Sequence, residues 1–134
     1  MGVIVVGYVP KPEGRAALRR AVEEAQLRSS RLVVVSSHRG GRDFDSGDAV
    51  ESEGQLEDVR KELSDSGVEH EVRQLVRGLD PADDLVALSE EIDAELIVIG
   101  LRRRTPVGKL ILGSNAQRIL LEAQCPVLAV KAAD

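Results

Sequence analysis

Three short apolar runs constrain the fold of this chain more than any other feature. They are VIVVGYV (3–9), RLVVVSS (31–37) and ELIVIG (95–100), and each is continuous and rich in β-branched residues. Such runs are typical of strands that are buried on both faces, as the strands of a parallel sheet are. Segments with helical spacing follow the first two runs, GRAALRRAVEEAQLRSS directly after the first and a charged segment from about 50 to 65 after the second.

The remaining segments continue the same alternation. VEHEVRQLV (68–76) alternates apolar and polar residues, which favours a half-exposed edge strand. DPADDLVALSEEIDA (80–94) has helical spacing, a second helix begins near Ser114, and PVLAVKA (126–132) is the last strand. The order βαβαβαβαβ predicts an α/β fold in which a five-stranded, doubly wound parallel sheet carries helices on both faces. Ligands of such sheets bind outside the carboxyl ends of the strands, where the strand order reverses.

Residues that typically begin or end helices set the expected helix and loop boundaries. Asp80 and Ser114 are expected helix N-caps, and Gly67 is an expected helix stop. Residues 38–49 are rich in Gly, Asp and Ser, so we expect them to form a loop.

Composition narrows the class of protein. The 134 residues predict one domain spanning 1–134, and the single cysteine, Cys125, has no internal disulfide partner. A net charge of −5 with one Tyr, one Phe and no Trp argues against nucleic acid as a partner. No apolar run approaches the roughly 20 residues of a membrane span, and the apolar N-terminus is interpreted as a core strand. We therefore expect a cytoplasmic protein with no membrane partner.

A basic segment between two glycines is the strongest candidate for function. GLRRRTPVGKLILGSNAQRIL (100–120) carries cations between Gly100 and Gly113, namely Arg102, Arg103, Arg104 and Lys109. A Walker A loop is excluded because Gly108-Lys109 is followed by Leu110 and the first glycine is missing, and no G-x-G-x-x-G is present. Gly113, Ser114 and Asn115 still open a helix whose free N–H groups suit an anion. The alternative is a solvated basic loop or one paired with Asp83 and Asp84.

With Gly100, Arg103, Gly113-Ser114 and CPVLAV (125–130) in place, the chain resembles a universal stress protein domain over essentially its whole length. The pattern of that family's nucleotide-binding branch is G-x2-G-x9-G-[ST] after the fourth strand. The resemblance implies the strand order 3-2-1-4-5 of flavodoxin-like and adenine nucleotide alpha hydrolase-like sheets. It also implies a homodimer formed through the last strand (126–132).

The resemblance further implies an adenine nucleotide, ATP or AMP with or without Mg²⁺, over the ends of strands one and four. The implied binding residues are Tyr8, Val9, Pro10, Ser37, Gly100, Leu101, Arg102, Arg103, Gly113, Ser114 and Asn115. Two positions depart from the family pattern, since Val9 stands where the first strand usually ends in Asp and Arg103 replaces the middle glycine.

Three hypotheses follow. The first is a stress-type regulator that binds an adenine nucleotide or a related phosphorylated small molecule. The second is a ligand-free dimeric interaction protein with a degenerate nucleotide pocket, and the third is a weak ATPase or phosphotransferase. Neither His38 nor His70 forms part of a nucleophile–base–orienter trio or of a metal-ligand spacing, so we do not expect an enzyme.

Overall fold

A computed structural model describes residues 2–38, 46–76, 80–101 and 113–132. Strands and helices alternate along the chain, as the sequence predicts. The elements are β1 (Val3–Gly7), α1 (Pro12–Arg28), β2 (Arg31–His38), α2 (Ser46–Ser66), β3 (His70–Val76), α3 (Pro81–Glu91), β4 (Leu96–Leu101), α4 (Ser114–Glu122) and β5 (Val127–Lys131).

All strand pairs of the sheet are parallel, and the strand order is β3-β2-β1-β4-β5. Val6 of β1 is in register with Val34 of β2 on one side and with Val98 of β4 on the other. The predicted α/β class, the doubly wound sheet and the order 3-2-1-4-5 are confirmed. The strand order reverses at β1, because the chain moves outward to β2 and β3 and then crosses to β4.

The β-branched runs bury both faces of the central strands. Successive side chains of a strand point to opposite faces. Ile4 and Val6 therefore pack beneath α1 and α2. Val5 packs with Val33 and Ile97 beneath α3 and α4. Each such side chain contributes roughly 1.5–3 kcal/mol when fully buried, so the three runs supply much of the hydrophobic stabilisation.

The edge strand β3 is half-exposed, as its alternating sequence predicts. Its residues from His70 to Leu75 are only partly buried. Glu71 accepts hydrogen bonds from Arg31 of β2 at 2.7 Å and from Arg73 at 2.6 Å. These ion pairs lie along an open edge, where charged side chains disfavour pairing with another chain.

Helix boundaries agree with the sequence at some ends and differ at others. Gly67, with φ of 75°, follows the last residue of α2 and is the predicted stop. The strand β2 extends to His38 and the helix α2 begins at Ser46, so the expected loop 38–49 is wrong at 38 and over 46–49. Residues 39–45 lie outside the described part of the chain.

The N-cap of α4 also differs from the expectation. Gly113 holds the extended N-cap conformation, and Ser114 is the first helical residue. Glycine serves at this position because an N-cap requires non-helical backbone more than it requires a side chain. Asp80 is the N-cap of α3 as predicted, although its carboxylate makes no side-chain cap hydrogen bond.

Candidate functional site

The carboxyl ends of β1 and β4 meet at the centre of the sheet and open into a cavity of about 190 Å³. The first turns of α1, α3 and α4 surround it, contributing Glu13, Pro81 and Asn115 among others. The cavity lies at the strand-order reversal, where sheets of this type hold their ligands. It is smaller than the roughly 300–1,000 Å³ of complete small-molecule pockets, so it suits one part of a larger ligand.

The floor of the cavity is apolar. It consists of side chains from the α3/α4 side of the sheet, namely Val35, Leu85, Ile99 and Ile119. Each of these residues belongs to the buried core, so their positions are fixed by packing on their other sides. A rigid apolar floor of this kind accepts a flat, weakly polar ring.

Two glycines allow the wall of the cavity to form. A Cβ at Gly100 would overlap the backbone carbonyl of Glu13, and a Cβ at Gly14 would overlap the carbonyl of Val9. The absence of side chains at these positions therefore lets the first turn of α1 lie directly against the ends of β1 and β4. At Gly7 a Cβ would lie 3.2 Å from Cδ2 of Leu85, so the floor also leaves little room for a larger residue.

An ion-pair group joins α4 to the N-terminus of α3 beside the cavity. Arg118 of α4 donates to the Asp80 carboxylate at 3.1 Å and to the Asp83 carboxylate at 3.0 Å. Both acidic residues belong to the start of α3. Asp83 thus has Arg118 of α4 as an ion-pair partner, and the basic loop that the sequence alternative pairs with Asp83 and Asp84 lies outside the described residues.

Helix N-termini give the cavity a positive character that its side chains do not provide. The N–H groups of a first helical turn have no partner within their helix, and the macrodipole places positive potential there. Ala82 of α3 and Asn115 and Ala116 of α4 bring two such turns to the cavity. Glu13, in the first turn of α1, is an acidic residue among those that line the cavity.

The structure brings four of the predicted binding residues together at the cavity: Tyr8, Val9, Gly100 and Asn115. Val9 is 44% exposed at the mouth, whereas Tyr8 is only 8% exposed. The ring of Tyr8 belongs to the core beneath α1 and α2, on the opposite face of the sheet from the cavity floor.

Other predicted residues lie elsewhere. Leu101 is buried in β4 and is in register with Lys131 of β5. Pro10 lines a separate cavity between α1 and α2. Gly113 and Ser114 begin α4 but do not line the cavity, and Ser114 is exposed.

For the remaining three predicted residues, the structure gives a strand register for one and does not describe the other two. Ser37 is in register with Leu75 of β3, near the carboxyl end of β2. Arg102 and Arg103, together with the rest of the basic loop, lie outside the described residues.

Sequence reasoning missed most of the cavity. The missed residues are Gly7, Glu13, Gly14, Val35, Pro81, Ala82, Leu85, Ile99, Ala116 and Ile119. The predicted position at the carboxyl ends of the strands was a sufficient signal for Gly7 and Ile99, and the proline at the start of α3 was a signal for Pro81. The apolar floor has no separate signal, since its residues follow the same periodicity as the rest of the core.

A metal ion has no candidate ligands in the described ranges, where no group of three or more His, Cys, Asp or Glu side chains is positioned to hold one. None of the helices within those ranges is long and apolar enough to cross a membrane. Cys125 is partly buried against the α3/α4 core, and burial raises the pKa of its thiol, which keeps it protonated.

The strand order and the position of the cavity define a doubly wound α/β domain whose candidate site lies at the carboxyl ends of the two central strands. The sequence model of the universal stress protein family matches residues 1–131, and the chain belongs to this family. A universal stress protein of Mycolicibacterium smegmatis is 49% identical over 129 residues, which are 96% of this chain and 97% of that protein.

Solved structures agree with this assignment. The universal stress protein from Archaeoglobus fulgidus superimposes with a TM-score of 0.82 at 39% identity, over 98% of each chain. A structure of the Archaeoglobus fulgidus universal stress protein in complex with dAMP has a TM-score of 0.76 at 34% identity, again over 98% of each chain.

Proposed function

We propose that this protein is a universal stress protein-type regulator that binds an adenine nucleotide, ATP or AMP, or a related phosphorylated small molecule. The observation that carries the proposal is the cavity at the ends of β1 and β4, which combines an apolar floor with two helix N-termini. The dAMP complex of the Archaeoglobus fulgidus relative supports the same ligand class. The proposal is one of binding and requires no catalytic group.

The chemistry of the cavity suggests where the base and the phosphate of the nucleotide lie. The base lies over the floor formed by Val35, Leu85 and Ile99, because a flat ring gains most from apolar surface. The phosphate lies toward the first turn of α4, because its N–H groups and dipole favour negative charge. The basic segment of the sequence, with Arg102 and Arg103 among its cations, supplies the charge that a phosphate requires.

The test is thermal unfolding and isothermal titration with ATP, AMP and dAMP, each with and without Mg²⁺. A ligand at about 100 times its dissociation constant stabilises the folded state by about 2.7 kcal/mol, which moves the melting temperature by several degrees. A melting temperature unaffected by every nucleotide would refute the proposal and leave the ligand-free interaction protein as the hypothesis to pursue.

A cavity-filling variant tests the location of the site. Ala116→Leu adds a larger side chain at the edge of the cavity, where Ala116 is only partly buried. We expect at least tenfold weaker nucleotide binding from steric exclusion. Ala87→Leu is the matched control, because Ala87 is also a partly buried helical alanine and does not line the cavity. Equal nucleotide affinity of the two variants would place the site elsewhere.

We also propose that the regulator is a homodimer paired through β5. This strand forms one edge of the sheet, and its residues from Val127 to Val130 are only partly buried in the single chain. A second copy of β5 would satisfy the open backbone groups of that edge. Sedimentation velocity over a hundredfold concentration range tests this, and a monomer at all concentrations would exclude it.

A further inference from the structure

A second cavity of about 220 Å³ lies between α1 and α2, on the opposite face of the sheet from the floor of the cavity at the ends of β1 and β4. Its floor is formed by Leu18 of α1, Val59 of α2, Tyr8 and Pro10. Its walls carry charges of opposite sign. We call it the α1/α2 cleft.

The charges of the α1/α2 cleft are arranged in two like-charge pairs. Arg15 and Arg19 are four residues apart on α1, and Asp58 and Glu62 are four residues apart on α2. Like charges at this spacing lie side by side on a helix and destabilise it. Arg15 also lies in the first turn of its helix, where the macrodipole disfavours a cation.

Charged residues beside the cleft relieve their repulsion with ion pairs. Arg20 contacts Glu23 and Glu24, each at 3.2 Å, and Glu57 contacts Arg60 at 3.2 Å. Within the described part of the chain, no salt bridge joins the arginines of the cleft to its carboxylates. The two walls therefore present opposite charges with a gap between them.

Tyr8 adds a polar group to the apolar floor. It is 8% exposed and lines the cleft together with Leu18 and Val59. Among the described residues, no hydrogen bond involves its hydroxyl. The hydroxyl is therefore available to a ligand that enters the cleft.

We propose that the α1/α2 cleft is a second binding site, for a small zwitterion with an aliphatic body, of the size and class of a free amino acid. A carboxylate on the ligand satisfies Arg15 and Arg19, and an ammonium group satisfies Asp58 and Glu62. An aliphatic side chain covers Leu18 and Val59. An inorganic anion meets repulsion from the carboxylates, and a simple cation meets repulsion from the arginines.

The experiment is a ¹⁵N-HSQC titration of the full chain with L-leucine, and with two analogues that each lack one charge. L-leucinamide lacks the carboxylate, and N-acetyl-L-leucine lacks the ammonium. We expect saturable shifts in α1 and α2 with leucine and binding weaker by about fivefold or more with each analogue, since one charged contact is lost each time. Absence of saturable shifts, equal binding of all three compounds, or tighter binding of inorganic phosphate would overturn the proposal.

Variants that each remove one charge assign the contacts. Glu62→Gln and Arg19→Gln each remove one charge from an exposed side chain, so the fold is retained. We expect each to weaken leucine binding by about fivefold. Glu57→Gln and Arg20→Gln are the controls, since they remove charges from the same helices outside the cleft. Leucine binding that falls equally in cleft and control variants would show a general charge effect and overturn the assignment.

Discussion

Because Gly14 lies against the backbone that connects β1 to α1, we expect Gly14→Ala to destabilise the protein, although helix propensity alone favours alanine. Gly14 lies in α1, and glycine is about 1 kcal/mol less favourable than alanine inside a helix. A Cβ at Gly14 would overlap the carbonyl oxygen of Val9, which also accepts a hydrogen bond from the Lys11 N–H at 2.8 Å. The obstacle is backbone, so no side-chain rotation removes it.

Magnitudes decide the expected result for Gly14→Ala. Overpacking costs typically about 1–3 kcal/mol, and overlap with a fixed carbonyl lies at the upper end of that range. The propensity gain is at most about 1 kcal/mol, and less in the first turn. We therefore expect the free energy of unfolding to fall by about 2 kcal/mol.

Gly54→Ala is the matched control. Gly54 is an exposed glycine of α2, and a Cβ there would meet no atom within 4 Å. We expect this variant to gain up to about 1 kcal/mol, so the two substitutions differ by about 3 kcal/mol in opposite directions. Urea unfolding at constant m-value measures both. A Gly14→Ala protein at least as stable as the wild type would refute the packing argument.

Two further predictions concern titratable groups. The hydrogen bond from Arg73, together with the charges of Arg73 and Arg31, lowers the pKa of Glu71 below its ordinary value of 4.5. A carboxyl group whose pKa is lowered by folding stabilises the folded state at pH values above 4.5, its ordinary pKa. This stabilisation is lost as the pH falls through the pKa of the folded state. Glu71→Gln should therefore lose up to about 1 kcal/mol in urea unfolding at pH 7, and its difference from the wild type should narrow between about pH 5 and pH 3; a pH-independent difference would contradict this. Burial raises the pKa of the Cys125 thiol, so iodoacetamide at pH 7.5 should alkylate it several-fold more slowly in the folded protein than in urea, and equal rates would contradict the burial.

The parallel sheet is predictable from sequence because continuous β-branched runs have few other ways to be buried. Val5 and Val6 need apolar cover on opposite faces, and only a strand inside a two-faced sheet supplies both. Boundaries are less predictable because they depend on tertiary contacts. The prediction extends the first strand to Val9, but β1 ends at Gly7 although the Tyr8 N–H still donates to the Val35 carbonyl at 2.9 Å.

The candidate sites are predictable only in part. The position of the first cavity follows from topology, and its glycines and helix starts are visible in the sequence. Its floor is not, because Leu85 and Ile119 have the spacing of any core residue and the cavity exists only where their side chains leave space. The α1/α2 cleft is even less predictable from the sequence, because Arg19 and Glu62 come together only when the two helices pack.

Gly100 shows how one motif residue acquires a structural role that bears on binding. In the family pattern it begins the phosphate loop, and here its missing side chain also allows the backbone of Glu13 to lie against β4. That approach brings Glu13 to the cavity, where Val9 stands at the position that the family usually fills with Asp. An acidic residue of the next helix thus lines the same cavity at which Val9 lacks a carboxylate. The residues that line the cavity therefore still include an acidic one, so Val9 in place of Asp does not by itself argue against the proposed nucleotide site.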